Sequence, residues 1–310
     1  MTSCATVIIH NPMQTPAAAA GHSAPGIAFV ALMLGATCIA LSPIFVRVSE
    51  VGPTPTAFWR VAIAVPALWL ARLFAHGSTR AQSPVNLWPL LVAAGFAFAG
   101  DLAFWHTSIK LTTVANSTLL ANLASIFVTL AAWLIWRQRP SGLFLAGLAA
   151  ALAGVALLVR ASVATSSTGF TGDALGVVTA IFYAWYLLAV KGLRDRGATT
   201  LRLMAVTSSV TALVLLPVAL ASGEPFFPHS AGGWLKLVGL ALVSHAAGQG
   251  LIAYALASLP AAFSSVSLLL QPVMAAGFAW ALLGERLAPP QILGGAVVLA
   301  GIYLARRGSL

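Results

Sequence analysis

Ten apolar runs follow one another along the chain, at approximately 26–49, 54–75, 86–109, 113–136, 140–160, 172–191, 200–221, 232–257, 261–284 and 290–306. Each is close to the 20 or so residues that an α-helix needs to cross a bilayer. Turn-forming residues separate them: Gly52 to Pro55, Arg139 to Gly142, Gly223 to Pro225, and the Pro289–Pro290 pair. No run alternates apolar and polar positions as a barrel strand does, and backbone groups in lipid need partners within their own segment, so the runs are predicted to be helices. The linkers are short, which makes successive helices antiparallel neighbours. The pattern predicts an all-α integral membrane protein with about ten transmembrane helices.

The second half of the chain repeats the first. Ala115 to Arg160 aligns without a gap on Ala262 to Arg307, and about a dozen positions are identical. Trp133 falls on Trp280, Arg139 on Arg286, Gly147 on Gly294, Gly154 on Gly301 and Arg160 on Arg307. Each half holds an odd number of spans, so the copies face opposite ways across the membrane. Such inverted repeats place a site at their interface, near the bilayer midplane. The expectation is two inverted five-helix repeats around a central cavity. The first repeat covers 26–160 and the second 172–307, with a loop rich in Ser and Thr around 161–171 between them. Residues 1–25, rich in Ala, Pro, Ser and Thr, are expected to form a disordered cytoplasmic tail.

Composition agrees with lipid as the solvent: 60% of the 310 residues are hydrophobic and 7% charged, with mean hydropathy +0.95. The net charge of +10 does not point to nucleic acid, because the basic residues sit in short loops between apolar runs with no interleaved aromatic face. They report orientation instead. One side collects Arg72, Arg80, Arg137, Arg139, Lys191, Arg194, Arg196, Arg202, Arg306 and Arg307. The other has only Arg47, Arg60, Lys110, Arg160, Lys236 and Arg286. The positive-inside rule then puts both termini in the cytoplasm. Cys4 and Cys38 make neither a metal spacing nor a disulfide framework, and no cofactor, metal or obligate protein partner is expected.

Polar groups within the spans are costly and therefore informative. Of the six acidic residues, Asp101 alone lies well inside a run. It sits about 12 Å below the outer end of the third span, and Arg60 about 9 Å below the outer end of the second. Similar depth on neighbouring spans suits the two to an ion pair, either fixing packing or serving transport. In the latter role Asp101 would carry a proton or meet a substrate amine. Trp105 shares the Asp101 face. His106 points elsewhere, near the water boundary. His245 and Gln271 fall about 20 Å from the outer end, Gln249 lies one turn beyond His245, and Tyr183 is about 16 Å deep. Asn122 shares a face with Thr118, Ser125 and Thr129. Ser and Thr alone would read as interhelical glue, but amides and an imidazole in one layer favour a wet cavity. Pro272 in mid-span predicts a kink that leaves the Leu268 carbonyl free as a substrate contact or hinge, and Pro43 is a weaker kink of the same kind. Trp59, Trp88, Trp133, Trp136, Trp234 and Trp280 fall near span ends, as headgroup anchors do. The paired glycines Gly147/Gly154 and Gly294/Gly301 read as close helix packing.

The stretch PAAFSSVSLLLQPV from Pro260 to Val273, LGERL from Leu283 to Leu287 and QILGGA from Gln291 to Ala296, continuing to Gly301, resembles the EamA repeat of the drug/metabolite transporter superfamily. Gln271, Pro272, Gly284, Glu285, Arg286, Gly294 and Gly301 carry the match. Phe58-Trp59-Arg60 resembles the aromatic–Arg signature after the first loop. The first repeat departs from the pattern, with Ser125 in place of the proline and Arg137-Gln138-Arg139 in place of Gly-Glu-Arg. The overall pattern is similar to the YddG-type exporters of aromatic amino acids. The resemblance implies ten helices, a cavity lined by spans 1, 3, 4, 6, 8 and 9, and efflux of amino acids or related metabolites across a bacterial inner membrane. The expected partners are an amino-acid substrate and the lipid bilayer, with proton coupling open. A channel or receptor scaffold is a distant rival, and two others stand beside this reading. One is export of drugs or other small metabolites. The other is a membrane-embedded enzyme, weakened because His106 and His245 occupy different spans with no carboxylate near the second.

Overall fold

The computed structural model describes residues 25–75, 86–111, 114–137, 139–160, 170–284 and 287–309. The readings made for the tail, Arg80, the inter-repeat loop, Glu285 and Arg286 lie outside the described residues, as do the side chains of Lys110, Trp136 and Arg160. Every regular element among the described residues is helical. Joined across their breaks, the helices make ten: α1 (Pro25–Arg47), α2 (Pro53–Phe74), α3 (Trp88–Leu111), α4 (Val114–Ala121 and Ala124–Trp136), α5 (Gly142–Arg160), α6 (Phe170–Asp195), α7 (Thr200–Ala221), α8 (Ala231–Ala255), α9 (Ala261–Ser267 and Leu270–Leu283) and α10 (Pro289–Gly308). Eight are long and apolar enough to cross a membrane, and α5 contributes a shorter apolar stretch, Gly142–Leu158. Large apolar side chains such as Leu134 and Leu213 stand more than two-thirds exposed at the rim. That surface is matched to lipid and not to water.

The helix contacts carry the symmetry of the sequence repeat. Exchange of each helix for its counterpart five places on turns the α1–α8 contact into the α3–α6 contact, and α4–α6 into α1–α9. The pairs α2–α7, α4–α9 and α5–α10 map onto themselves. A helix that packs antiparallel on its own counterpart lies on a two-fold axis, which is the signature of inversion. The α5–α10 seam shows it in detail. A Cβ on Gly147 would lie 2.7 Å from Gly301 O and one on Gly154 2.7 Å from Gly294 O; the glycines of α10 meet α5 reciprocally, at 2.7 and 2.8 Å. Backbones this close leave no room for a side chain, so the four repeat-matched glycines are the condition for the seam.

On the face carrying the α1–α2 and α7–α8 loops the two repeats are clasped. Glu50 accepts from the backbone N–H groups of His229 (3.0 Å) and Ser230 (3.1 Å) and from the Ser230 hydroxyl, with Lys236 Nζ 3.8 Å away. Its carboxylate thus closes the start of α8, where unpaired N–H groups and the helix dipole favour an anion. Glu224 does the same for α2, accepting from Thr54 N at 2.8 Å. Gly52 N donates to Pro225 O at 3.1 Å, and the Trp59 indole N–H to Phe226 O at 2.8 Å. Trp59 also meets Trp234 edge-on, with centroids 5.0 Å apart, so these two end-of-span tryptophans join the halves rather than only anchoring them in headgroups.

Candidate functional site

Five of the helices that meet at the centre are locally broken or distorted. α1 turns at Leu41, after which Ser42 begins the next segment with Pro43 in its first turn, and the Cys38 carbonyl accepts from Leu41 N and from Ser244 Oγ at 2.9 Å. α2 turns at Ile63, three residues before Pro66. α8 winds as a π-helix from Leu240 to Gln249, a distortion that no residue pattern announced. Its close approach to α1 depends on facing glycines: a Cβ on Gly35 would stand 2.8 Å from Gly248 O. α4 breaks at Asn122–Leu123 and α9 at Leu268–Leu269, at matching places in the repeats.

The breaks surround a cavity between the repeats. α1, α2, α3, α4, α6, α8 and α9 supply its wall, while α5, α7 and α10 contribute none of it. Asp101 and Trp105 enter from α3, Asn122 from α4, Tyr183 from α6, Gln249 from α8 and Gln271 from α9. Arg60, Pro43 and Pro272 also line it. Nine of the ten residues singled out from the sequence therefore meet in one chamber. Ser42, Thr179, the apolar Ile39, Phe98 and Leu102, and three alanines make up the part that residue chemistry missed. Single Ser, Thr and aliphatic side chains are too common in membrane helices to be picked from sequence.

His245 is the exception. Its Nε2 is 2.8 Å from Ser208 Oγ of α7, and its ring stacks on Phe98 at 5.4 Å. Phe98 faces the chamber and His245 stands behind it, so His245 is not a cavity residue. It ends an aromatic column that runs from Tyr183 through Tyr186 to Phe98. Two further expectations change. No ion pair within 4.0 Å joins Arg60 to Asp101, although both line the chamber from the adjacent helices α2 and α3 and their charges act on one another. The Leu268 carbonyl is not free, because α9 tightens at the break and Gln271 N donates to it at 2.9 Å. A short 3₁₀ turn absorbs the bond that Pro272 cannot make.

Buried polar atoms without partners collect here. Tyr183 Oη, Gln249 Oε1, Gln271 Nε2, Arg60 Nε and Ser42 Oγ all belong to the chamber wall, and none makes a hydrogen bond of good geometry, although the Tyr183 hydroxyl stands close to the Gln249 and Gln271 amides. Asn122 Nδ2 is bound back to Thr118 O at 2.8 Å, which leaves the Asn122 amide oxygen for the chamber. Buried polar groups in folded proteins are nearly always satisfied, so a cluster of exceptions on one cavity makes it the candidate site for a polar ligand or water. A mid-membrane chamber between inverted repeats, walled by broken helices, defines a membrane transporter.

Comparison with known proteins agrees. The chain belongs to the EamA-like transporter family, whose model matches residues 26–160 and 170–307. It is similar to an uncharacterized transporter of Archaeoglobus fulgidus, with 29% identity over 84% of this chain and 91% of that protein. It is also similar to a protein of Streptantibioticus cattleyicolor described as a probable terminal-alkyne amino-acid exporter, with 31% identity over 63% of this chain and 65% of the relative. A protein solved by crystallography shares the fold, with a TM-score of 0.76 over 93% of this chain and 99% of that one at 19% identity.

Proposed function

We propose that this transporter exports amino acids with aromatic or other apolar side chains across a bacterial inner membrane, with both termini in the cytoplasm. One observation carries the reading: the chamber combines an apolar wall (Ile39, Phe98, Leu102, Trp105) with a set of unpartnered polar atoms at mid-depth. An apolar side chain with a compact polar head matches both parts. The resemblance to a protein described as an amino-acid exporter supports the same class. Movement proceeds by rocking of the repeats about the chamber, with the broken helices as hinges. In this reading the clasp between the α1–α2 and α7–α8 loops serves as the gate at one mouth. Exchange of labelled phenylalanine in proteoliposomes, with and without a pH gradient, tests the reading. Saturable exchange that an excess of tryptophan or leucine suppresses is the expected result, and acceleration by the gradient adds proton antiport. Exchange of none of the amino acids, beside efflux of cationic drugs, overturns it.

A further inference from the structure

We infer that Arg60 and Asp101 together form a dipolar clamp for the common part of an α-amino acid. The Arg60 guanidinium takes the substrate carboxylate and the Asp101 carboxylate takes its ammonium group. The inference rests on the exporter reading and names the groups that recognise the substrate.

Arg60 and Asp101 are the two charged residues of the chamber wall, and they come from the neighbouring helices α2 and α3. Arg60 is only 5% exposed, and its Nε has no partner. No described residue hydrogen-bonds the Asp101 carboxylate, and no ion pair within 4.0 Å joins the two. Opposite charges in a poorly solvated space attract strongly, and leaving them apart and unpaired is costly unless something stands between them. The wall therefore presents one positive and one negative pole that sum to zero. A cationic amine in the chamber leaves Arg60 uncompensated, and a carboxylic acid anion leaves Asp101 uncompensated. A zwitterion satisfies both at once. With its head held there, its side chain meets Phe98, Leu102 and Trp105, while Asn122, Gln249 and Gln271 offer neutral amides to the remaining lone pairs and N–H groups.

Three probes of the same shape separate the two poles: phenylalanine, phenethylamine (no carboxylate) and 3-phenylpropanoate (no ammonium). In calorimetric titration of the purified wild-type transporter, phenylalanine is expected to bind about tenfold to a hundredfold more tightly than either analogue, the usual effect of losing a charged partner. Equal affinity for all three overturns the clamp, and this test needs no variant to fold. In proteoliposomes, Arg60→Gln should erase the preference for phenylalanine over phenethylamine and keep the preference over 3-phenylpropanoate. Asp101→Asn should do the reverse. Arg60→Lys and Asp101→Glu should restore part of each. Variants that transport phenylalanine with the wild-type ranking of competitors refute the clamp and leave the exporter reading standing. A wild-type protein that exchanges no amino acid refutes the exporter reading itself.

Discussion

Replacement of Gly52 by alanine should open the clasped mouth. In the clasped state an alanine Cβ would stand 2.4 Å from Glu224 Cβ, 2.5 Å from its Oε2 and 2.7 Å from its Cδ. None of these separations is tolerable, so the Glu224 side chain must leave Thr54 N, which it now meets at 2.8 Å. The backbone itself has no objection: Gly52 has φ −61°, an angle that alanine adopts freely. The damage is therefore confined to the state in which the loops touch. A carboxylate hydrogen bond to a backbone N–H is worth about 1.5–3 kcal/mol, and loss of the Gly52 N to Pro225 O bond adds about 1 kcal/mol. A shift of about 2.5–4 kcal/mol changes the ratio of clasped to open molecules by roughly 60-fold to 700-fold. A cysteine at Ala275 on the chamber wall, with Cys4 and Cys38 replaced by serine, reports the change. Its labelling by a membrane-impermeant maleimide applied to the clasp side should accelerate by at least tenfold in Gly52→Ala. Glu224→Ala should have a similar effect, and the double variant should add little, because both remove one contact. An unchanged labelling rate in folded Gly52→Ala, or fully additive effects, would refute the claim that this contact closes the chamber.

Three other outcomes follow from the geometry. Gly154→Leu should lower thermal stability in detergent by about 1–3 kcal/mol or prevent folding, since even a Cβ there meets Gly294 O and Val298 N at 2.7 Å; Gly142→Ala, with nothing within 4 Å of its Cβ, should be silent. His245→Ala should cost about 1–3 kcal/mol of stability by stranding Ser208 Oγ, and should leave the KM for substrate within about twofold of wild type, whereas Gln271→Ala should raise KM with little loss of stability. Acid should loosen the clasp. The Ser230 hydroxyl, the backbone N–H groups of Ser230 and His229, and the Lys236 charge hold Glu50 below the usual carboxylate range against a smaller opposing effect of desolvation. A group depressed in the clasped state stabilises that state above its free value of about 4.3 and loses the contribution as pH falls through the lowered one. The Trp59–Trp234 fluorescence signature of the clasp should therefore survive mild acid and change only below the usual carboxylate range, and Glu50→Gln should abolish that transition.

The span count, the repeat and most of the chamber wall were legible because each rests on a feature that lipid makes rare. Asp101 and Arg60 stand out from any apolar run, and Gln271 and Gln249 stand out nearly as clearly. His245 misled for the same reason. Rarity marks a buried imidazole without saying whether a ligand or a neighbouring hydroxyl satisfies it, and Ser208 lies 37 positions away on another helix. The clasp was invisible because Glu50 and Glu224 sit in loops, where a carboxylate needs no explanation until a helix start is brought against it.

The break in α4 shows where residue chemistry gives way to architecture. Proline explains the break in α9, but Ser125 occupies the matching position in α4, and the helix still breaks within about one residue of the same place. There the turn is held without proline. Leu123 N tightens onto Leu120 O at 3.0 Å, Asn122 Nδ2 takes Thr118 O at 2.8 Å, and Ser125 Oγ reaches across to Ser265 O at 2.9 Å. That last bond ties the break in one repeat to the helix that carries the break in the other. Both repeats therefore bend at nearly the same place, each with its own chemical cause. Ser125→Ala should therefore loosen the α4–α9 contact without straightening α4, because the Asn122 and Leu123 bonds that hold the turn remain.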